Sequence, residues 1–292
     1  MQIPSLAVLT PTFNRAHLLG RVFESIINNN FIKQWIIVDD GSSDKTYLLV
    51  QELKVRRPKN LDIIYIYRPN RGMKGAMNTG IPYLETKYFC KIDSDDYLSS
   101  NFGEDYTELF KQIEKHGEAN QYNIISMKCK DENNTEINRL SNTLETHKMI
   151  KNAYVINYAT DRLYSTKVSG DLLDIFPVDP AKDLFRYPYL DGLGHCPTGI
   201  LHMFYVLMHK NRKQILYDKV GQIKEYRDGG ITKSKANNLQ ASPHYYLMSS
   251  IMELSLPNHN MRSMIRSIRT FGRAGLKVIE ITIKRSMARK QR

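Results

Sequence analysis

Three carboxylates fall within four residues at Asp93-Ser94-Asp95-Asp96, directly after the largely apolar run Tyr88-Phe89-Cys90-Lys91-Ile92. Side chains alternate along a strand, so in an extended chain Asp93 and Asp95 point the same way. Two such carboxylates repel unless a positive charge lies between them. Their hard oxygens suit Mg²⁺ or Mn²⁺, which commonly combine one or two protein carboxylates with phosphate oxygens. The stretch therefore reads as a strand end presenting a divalent metal to a phosphorylated ligand. A solvated Asp/Ser turn closing a strand is the alternative.

The preceding elements must hold that strand end in place. Residues 5–10 read as a buried first strand, broken by Pro11-Thr12-Phe13-Asn14-Arg15. Residues 16–30 repeat apolar positions at helical spacing. Trp35-Ile36-Ile37-Val38 is a second strand, ended by Asp39-Asp40-Gly41-Ser42-Ser43-Asp44. Ser43 or Asp44 is placed to cap a helix reaching Val55. Residues 62–67 form a third strand, 68–75 a polar loop, and 76–84 the start of a helix that Pro82 shortens. Residues 88–92 are the fourth strand. Strand alternating with helix predicts an α/β fold with a mostly parallel sheet, whose ligands bind beyond the carboxyl ends of the strands. Thr10-Pro11-Thr12, Asp39-Asp40-Gly41 and Asp93-Ser94-Asp95-Asp96 stand at three such ends and are predicted to converge on one crevice.

A chain of 292 residues with 41% hydrophobic and 25% charged residues suits one large domain, or one with an appendage. Three cysteines (90, 129 and 196) share no metal-binding spacing, and so sparse a count points to a reducing compartment. The start lacks the pattern of a signal peptide, and no run of about 18 apolar residues predicts a membrane span. The expected location is cytoplasmic, with peripheral contact on the inner membrane face an option. Of the net charge of +12, residues 261–292 carry +9: ten Lys/Arg against Glu280.

Four segments in order resemble the nucleotide-binding half of a family-two, GT-A-type glycosyltransferase, as in bacterial capsular and cell-surface polysaccharide assembly. They are Val8-Leu9-Thr10-Pro11-Thr12-Phe13-Asn14-Arg15, Ile37-Val38-Asp39-Asp40-Gly41-Ser42, residues 70–80 (Asn70-Arg71-Gly72-Met73-Lys74-Gly75 onward), and Ile92-Asp93-Ser94-Asp95-Asp96. The match is strong over residues 5–98 and looser beyond. It implies a nucleotide-sugar donor, usually a UDP-sugar, and Mn²⁺ or Mg²⁺ as cofactor. Carried over, Thr10, Pro11 and Thr12 line the nucleoside pocket, and Arg15 belongs to the nucleotide-binding set. Asp40, or Asp39 beside it, accepts a hydrogen bond from the base; an ionised acceptor roughly doubles such a bond. Arg71 and Lys74 meet phosphate or ribose oxygens, and Asn78 matches a loop-helix residue of the family. Asp93-Ser94-Asp95 corresponds to the DxD motif. Asp95 is the direct metal ligand, Asp93 meets ribose or metal-bound water, and Asp96 shares either role.

In the second half, residues 122–128 read as a strand and 130–142 as a hairpin or surface loop. Residues 164–168 and 171–177 resemble the segment leading to the catalytic region. The stretch Tyr189-Leu190-Asp191-Gly192-Leu193-Gly194-His195-Cys196-Pro197-Thr198-Gly199 keeps Asp191 but has Leu193 and Thr198 where the family resemblance leads one to expect acids. An inverting transferase needs a base on the attacking hydroxyl. Asp191 is the first choice and His195, which titrates near neutral pH, the second; Asp191-Gly192 is also a good turn dipeptide. Residues 214–217 and 220–226 read as two short strands. Lys224, Arg227 and Lys233 are candidate phosphate contacts, with Gly229-Gly230 permitting movement.

The expected division is a catalytic domain over 1–232 (nucleotide half 1–98, acceptor half 99–232) and a basic helical region over 233–292. In the tail, Met261, Met264, Ile265 and Ile268 fall at helical spacing with arginines on other sides. One reading is an amphipathic helix on an anionic membrane; the other packs the apolar side on the domain and leaves the arginines solvated. No nucleic-acid-binding motif is present, and no nucleic-acid partner is expected. The reading is an inverting, metal-dependent hexosyl- or N-acetylhexosaminyl-type transferase acting on a saccharide or lipid-linked saccharide. A nucleotidyltransferase on a similar sheet, or a non-catalytic sugar-binding relative, is the alternative.

Overall fold

Leu6-Ala7-Val8-Leu9 has an apolar side chain at every position, so a strand there must be covered on both faces. In the computed structural model this segment opens β1 (Leu6–Thr12), which is buried throughout. The structure describes residues 2–115, 122–135, 149–150, 153–157, 172–178, 213–225, 247, 250–251, 265 and 268–279. β1 pairs in parallel with β2 (Ile32–Asp39) on one edge and β4 (Tyr88–Lys91) on the other. β3 (Asp62–Tyr67) lies parallel beyond β2.

Pro11 does not break the strand, contrary to expectation. The Leu9 carbonyl accepts from the Ile92 N–H at 3.1 Å and the Thr12 carbonyl from the Asp40 N–H at 2.8 Å. Odd positions thus face β4 and even positions face β2. β4 pairs only with Leu6–Leu9, so the N–H that proline lacks has no ladder partner to lose at Pro11.

The second half alternates direction. β9 (Leu173–Pro177) runs antiparallel between β4 and β6 (Tyr122–Asp131), and β10 (Lys213–Lys224) is parallel to β6. β5 (Tyr97–Leu98) and β8 (Ala153–Asn157) oppose β10, and β7 (Met149–Ile150) opposes β8. The order is β3-β2-β1-β4-β9-β6-β10-β8-β7, with β5 on β10. Because two antiparallel steps restore the direction, β1, β2, β3, β4, β6 and β10 all end at the same edge of the sheet. Residues 213–224 form one strand rather than two short ones, with register shifts between Tyr217 and Gln222.

One face of the sheet is covered by α1 (Ala16–Ile26), α2 (Thr46–Arg56) and α4 (Phe102–Lys115), whose apolar residues join Leu6, Val8, Trp35, Ile37, Cys90 and Ile125 in the core. α1 contributes Leu18, Leu19, Val22, Phe23 and Ile26, at the i, i+3/i+4 spacing of a single face. On the other face, α3 (Met73–Gly80) lies against β1 and β2, followed by a 3₁₀ turn over Ile81–Tyr83 that contains Pro82. A Cβ at Gly80 would lie 2.4 Å from the Leu9 Cδ1, so glycine allows that approach.

The chain divides into two compact units: residues 1–157, 167–187 and 211–226, and residues 158–166, 188–210 and 227–292. In the second unit residues 268–279 are helical. No helix among the described residues is long and apolar enough to cross a membrane.

Candidate active site

The loops leaving β1 and β2 are clasped together. Asn14 takes a left-handed conformation (φ 52°), which asparagine tolerates. Its Oδ1 accepts from the Ser43 N–H at 2.8 Å, and its own N–H donates to the Ser42 Oγ at 2.8 Å. Asp44 serves two helices, accepting from the Ala16 N–H of α1 and the Thr46 N–H of α2, each at 3.0 Å. The N-cap of α2 is Lys45 rather than Ser43 or Asp44 and makes no side-chain cap bond; Asp44, one residue earlier, takes up the first free N–H of the helix and joins α1 to the neighbouring loop.

At the end of β2 the two acids do different work. Asp39 is buried and accepts from the Ser42 N–H at 2.7 Å and the Tyr65 hydroxyl at 2.6 Å. Burial, with that bond to Asp39, pushes the Tyr65 phenol well above its ordinary range. Asp40 is also buried; it accepts from the Arg71 N–H at 3.0 Å and the Gly72 N–H at 2.6 Å, with the Arg68 Nε at 3.4 Å. Gly41 has φ 91°, and a Cβ there would sit 2.9 Å from the Asn70 backbone nitrogen. Asp40 and Gly41 therefore fix the loop that carries Arg71 into α3, where Lys74 is buried in the first turn. Arg68 also donates to the Thr79 hydroxyl at 3.0 Å. In the sequence this arginine is one residue of a polar loop, marked only by its position directly after β3.

Beyond β4 the chain turns. The Asp96 N–H donates to the Asp93 carbonyl at 3.0 Å, so residues 93–96 are a tight turn and strand alternation does not place these side chains. Asp93 accepts from the Lys91 Nζ at 2.6 Å, and Asp95 pairs with Arg15 from the start of α1. Asp96 is buried and held by β10, accepting from the Gln222 Nε2 at 2.7 Å, the Lys224 Nζ at 3.3 Å and the Glu225 N–H at 3.2 Å. Burial raises Asp93's pKa, but Lys91, Lys224 and Lys74 outweigh it and hold the carboxyl at about 2. For Asp96 burial wins: despite Lys224, it and the neighbouring Asp93 and Asp95 push the carboxyl up to about 7. Arg21 of α1 pairs with Glu225 and lies over the Tyr97 ring, completing the clamp.

The predicted nucleoside residues sit at the end of β1. Thr10 is fully buried and its hydroxyl accepts from the Trp35 Nε1 at 3.0 Å. Pro11 is buried too. Thr12 is buried, and its Oγ1 has no hydrogen-bond partner among the described residues. Asp174 lies on β9, where the sequence shows a single acid between apolar neighbours. It sits opposite Ser126 of β6, whose hydroxyl donates to it. Burial pushes its carboxyl up to about 6 against the opposing pull of Ser126, Lys224 and Lys91. Asp191 and His195 lie outside the described residues, as do Arg227 and Lys233. Among the described residues no three His, Cys, Asp or Glu side chains converge as a self-sufficient metal cage.

The geometry thus gathers acids, amides and cations where parallel strands end. Residues 7–173 match the model of Glycosyl transferase family 2. The chain belongs to that family. The minor teichoic acid biosynthesis protein GgaB of Bacillus subtilis is 32% identical over 109 residues, covering 36% of this chain and 12% of GgaB. The GalNAc(5)-diNAcBac-PP-undecaprenol beta-1,3-glucosyltransferase of Campylobacter jejuni is 36% identical over 129 residues, covering 39% of this chain and 40% of that enzyme. The chain spans well under two thirds of the length of these relatives. Among solved structures, S. aureus TarS in complex with UDP-GlcNAc superposes with a TM-score of 0.64 at 17% identity, covering 89% of this chain and 69% of that one. The mannosyltransferase PcManGT from Pyrobaculum calidifontis, in complex with GDP-Man and Mn²⁺, gives 0.60 at 14% identity, covering 96% and 75%. The fold is GT-A: a Rossmann-like sheet flanked by helices.

Proposed function

We propose that this family-2 enzyme is an inverting transferase. It moves a hexosyl or N-acetylhexosaminyl group from a nucleotide diphosphate, most readily UDP, to a saccharide or lipid-linked saccharide. The observation that carries the reading is the convergence at one sheet edge of Asp93 and Asp95 with the Asp39-Asp40-Gly41 turn, Thr12 and the start of α3. Thr10, Pro11 and Thr12 bound the nucleoside pocket, and the Thr12 hydroxyl has no partner among the described residues. Asp39 and Asp40 flank the base, their remaining lone pairs facing an N–H donor. Arg15, Arg71 and Lys74 meet the anionic part of the donor.

The donor set fits Mn²⁺ or Mg²⁺, which take one or two carboxylates and complete their shell with phosphate oxygens and water. Asp95 would hold the ion directly, Asp93 would meet ribose or metal-bound water, and Asp96 stays on β10 and fixes the turn. A metal held there would supply positive charge against the charge that develops on the diphosphate as the glycosidic bond breaks. Asp191, with His195 second, takes the proton of the attacking hydroxyl. The C. jejuni relative's polyprenol-linked substrate supports a lipid-linked acceptor here.

Calorimetric titration of UDP, GDP and CDP, with and without Mn²⁺, tests the donor site on wild type and Asp95→Ala. The expected result is metal-dependent binding of one diphosphate that the substitution abolishes. No binding by folded wild-type protein overturns the assignment.

A further inference from the structure

The helix over residues 268–279 turns its larger apolar side chains outward. Leu276 is 71% exposed, Ile279 57% and Ile268 51%, with Phe271 also exposed, whereas the fully buried position of this segment is Ala274. A helix that packs on its own domain through an apolar face shows the reverse. Exposed Ile268, Gly272, Leu276 and Ile279 follow one another at intervals of four and three, so they form one stripe. Arg269, Arg273 and Lys277, spaced by four, form a second stripe beside it. We propose that this helix docks on a negatively charged lipid surface, the apolar stripe entering the headgroup boundary and the basic stripe meeting lipid phosphates.

Charge selects this occupant over the others. Residues 261–292 carry ten Lys/Arg and one acid, so pairing two copies would juxtapose like charges. Nucleic acid would satisfy the basic stripe but leave the exposed isoleucines and leucine in water. An anionic bilayer satisfies both stripes at once. Docking of this helix requires no glycosyl transfer, though a membrane-held enzyme is well placed for a lipid-linked acceptor.

The test uses the full chain in sedimentation with vesicles of phosphatidylglycerol and phosphatidylcholine, against phosphatidylcholine alone. Wild type is expected to bind the anionic vesicles, less as salt rises, and the neutral ones weakly. Each neutralised arginine in Arg269→Gln and Arg273→Gln should weaken binding about fivefold. Leu276→Ser with Ile279→Ser should weaken it about tenfold or more. Failure of wild type to bind anionic vesicles, equal binding by these variants, or a dimer that uses this face without binding vesicles overturns the proposal. UDP calorimetry on the same variants should be unchanged, which separates this surface from the donor site.

Discussion

The guanidinium of Arg15 pairs with the carboxylate of Asp95, joining the start of α1 to the turn beyond β4 across 80 residues of sequence. A cation of the protein's own thus stands beside the carboxylate assigned to the metal. Its positive charge lowers the attraction of Asp95 for a second cation, so Arg15→Ala should tighten Mn²⁺ binding in the absence of nucleotide. The pair is partly exposed, which limits the gain to about threefold. Titration of Mn²⁺ followed by electron paramagnetic resonance reads this directly; an unchanged or weaker affinity rules out the competition.

Asp96 and Lys224 make the complementary case, a pair away from open solvent. At about pH 9, above the value near 7 to which its carboxyl is pushed, Asp96 is ionised, and truncating Lys224 to alanine leaves a buried carboxylate facing only neutral donors, Gln222 and the Glu225 N–H. The expected loss is about 3 kcal/mol in urea unfolding. Asp96→Asn in the Lys224→Ala background removes the stranded charge and should recover most of that loss. If the double variant is no more stable than Lys224→Ala, Lys224 acts through packing and not through Asp96.

How far each feature could be read from sequence follows the distance over which it is specified. The first four strands were legible because each is a local run of apolar side chains, and the donor-side loops because acids and glycines cluster where those runs end. Pro11 misled because its cost depends on whether β4 pairs with that position, which is a property of the sheet. Asp218 and Lys219 resemble a turn between two strands but lie at register shifts inside β10. The Asp96–Lys224 pair spans 128 residues, and no local pattern marks it. Asp174 in Leu172-Leu173-Asp174-Ile175-Phe176 carries no local signal either; its importance comes from the Ser126 hydroxyl on the neighbouring strand.

Asp174 gives a pH signature. Its carboxyl rises from an ordinary 3.8 to about 6 because burial outweighs Ser126, Lys224 and Lys91. Between these values the folded protein holds a proton that the unfolded chain has released. Stability contributed by this group is therefore greatest below the unfolded value, falls as pH rises through the window, and is level above the folded value. Asp174→Asn removes the titration and keeps an acceptor for Ser126. From about pH 4 to about pH 7, wild type should lose on the order of 2 kcal/mol relative to the variant. A wild-type-minus-variant difference that is the same at both pH values would show that Asp174 does not titrate in this range.

Thr12 separates stability from function at the same edge. Its hydroxyl is buried without a partner among the described residues, a state that costs about 1–3 kcal/mol for a polar group. Valine has nearly the same shape and no such group, so Thr12→Val should leave the fold intact and raise unfolding stability by about 1 kcal/mol. If the hydroxyl is kept for the nucleoside, the same change should weaken UDP binding about tenfold, the equivalent of one lost hydrogen bond. Thermal unfolding and UDP calorimetry on one preparation measure both. A more stable variant with unaltered UDP affinity would remove Thr12 from the donor site, and a destabilised one would mean that its hydroxyl has a structural partner in solution.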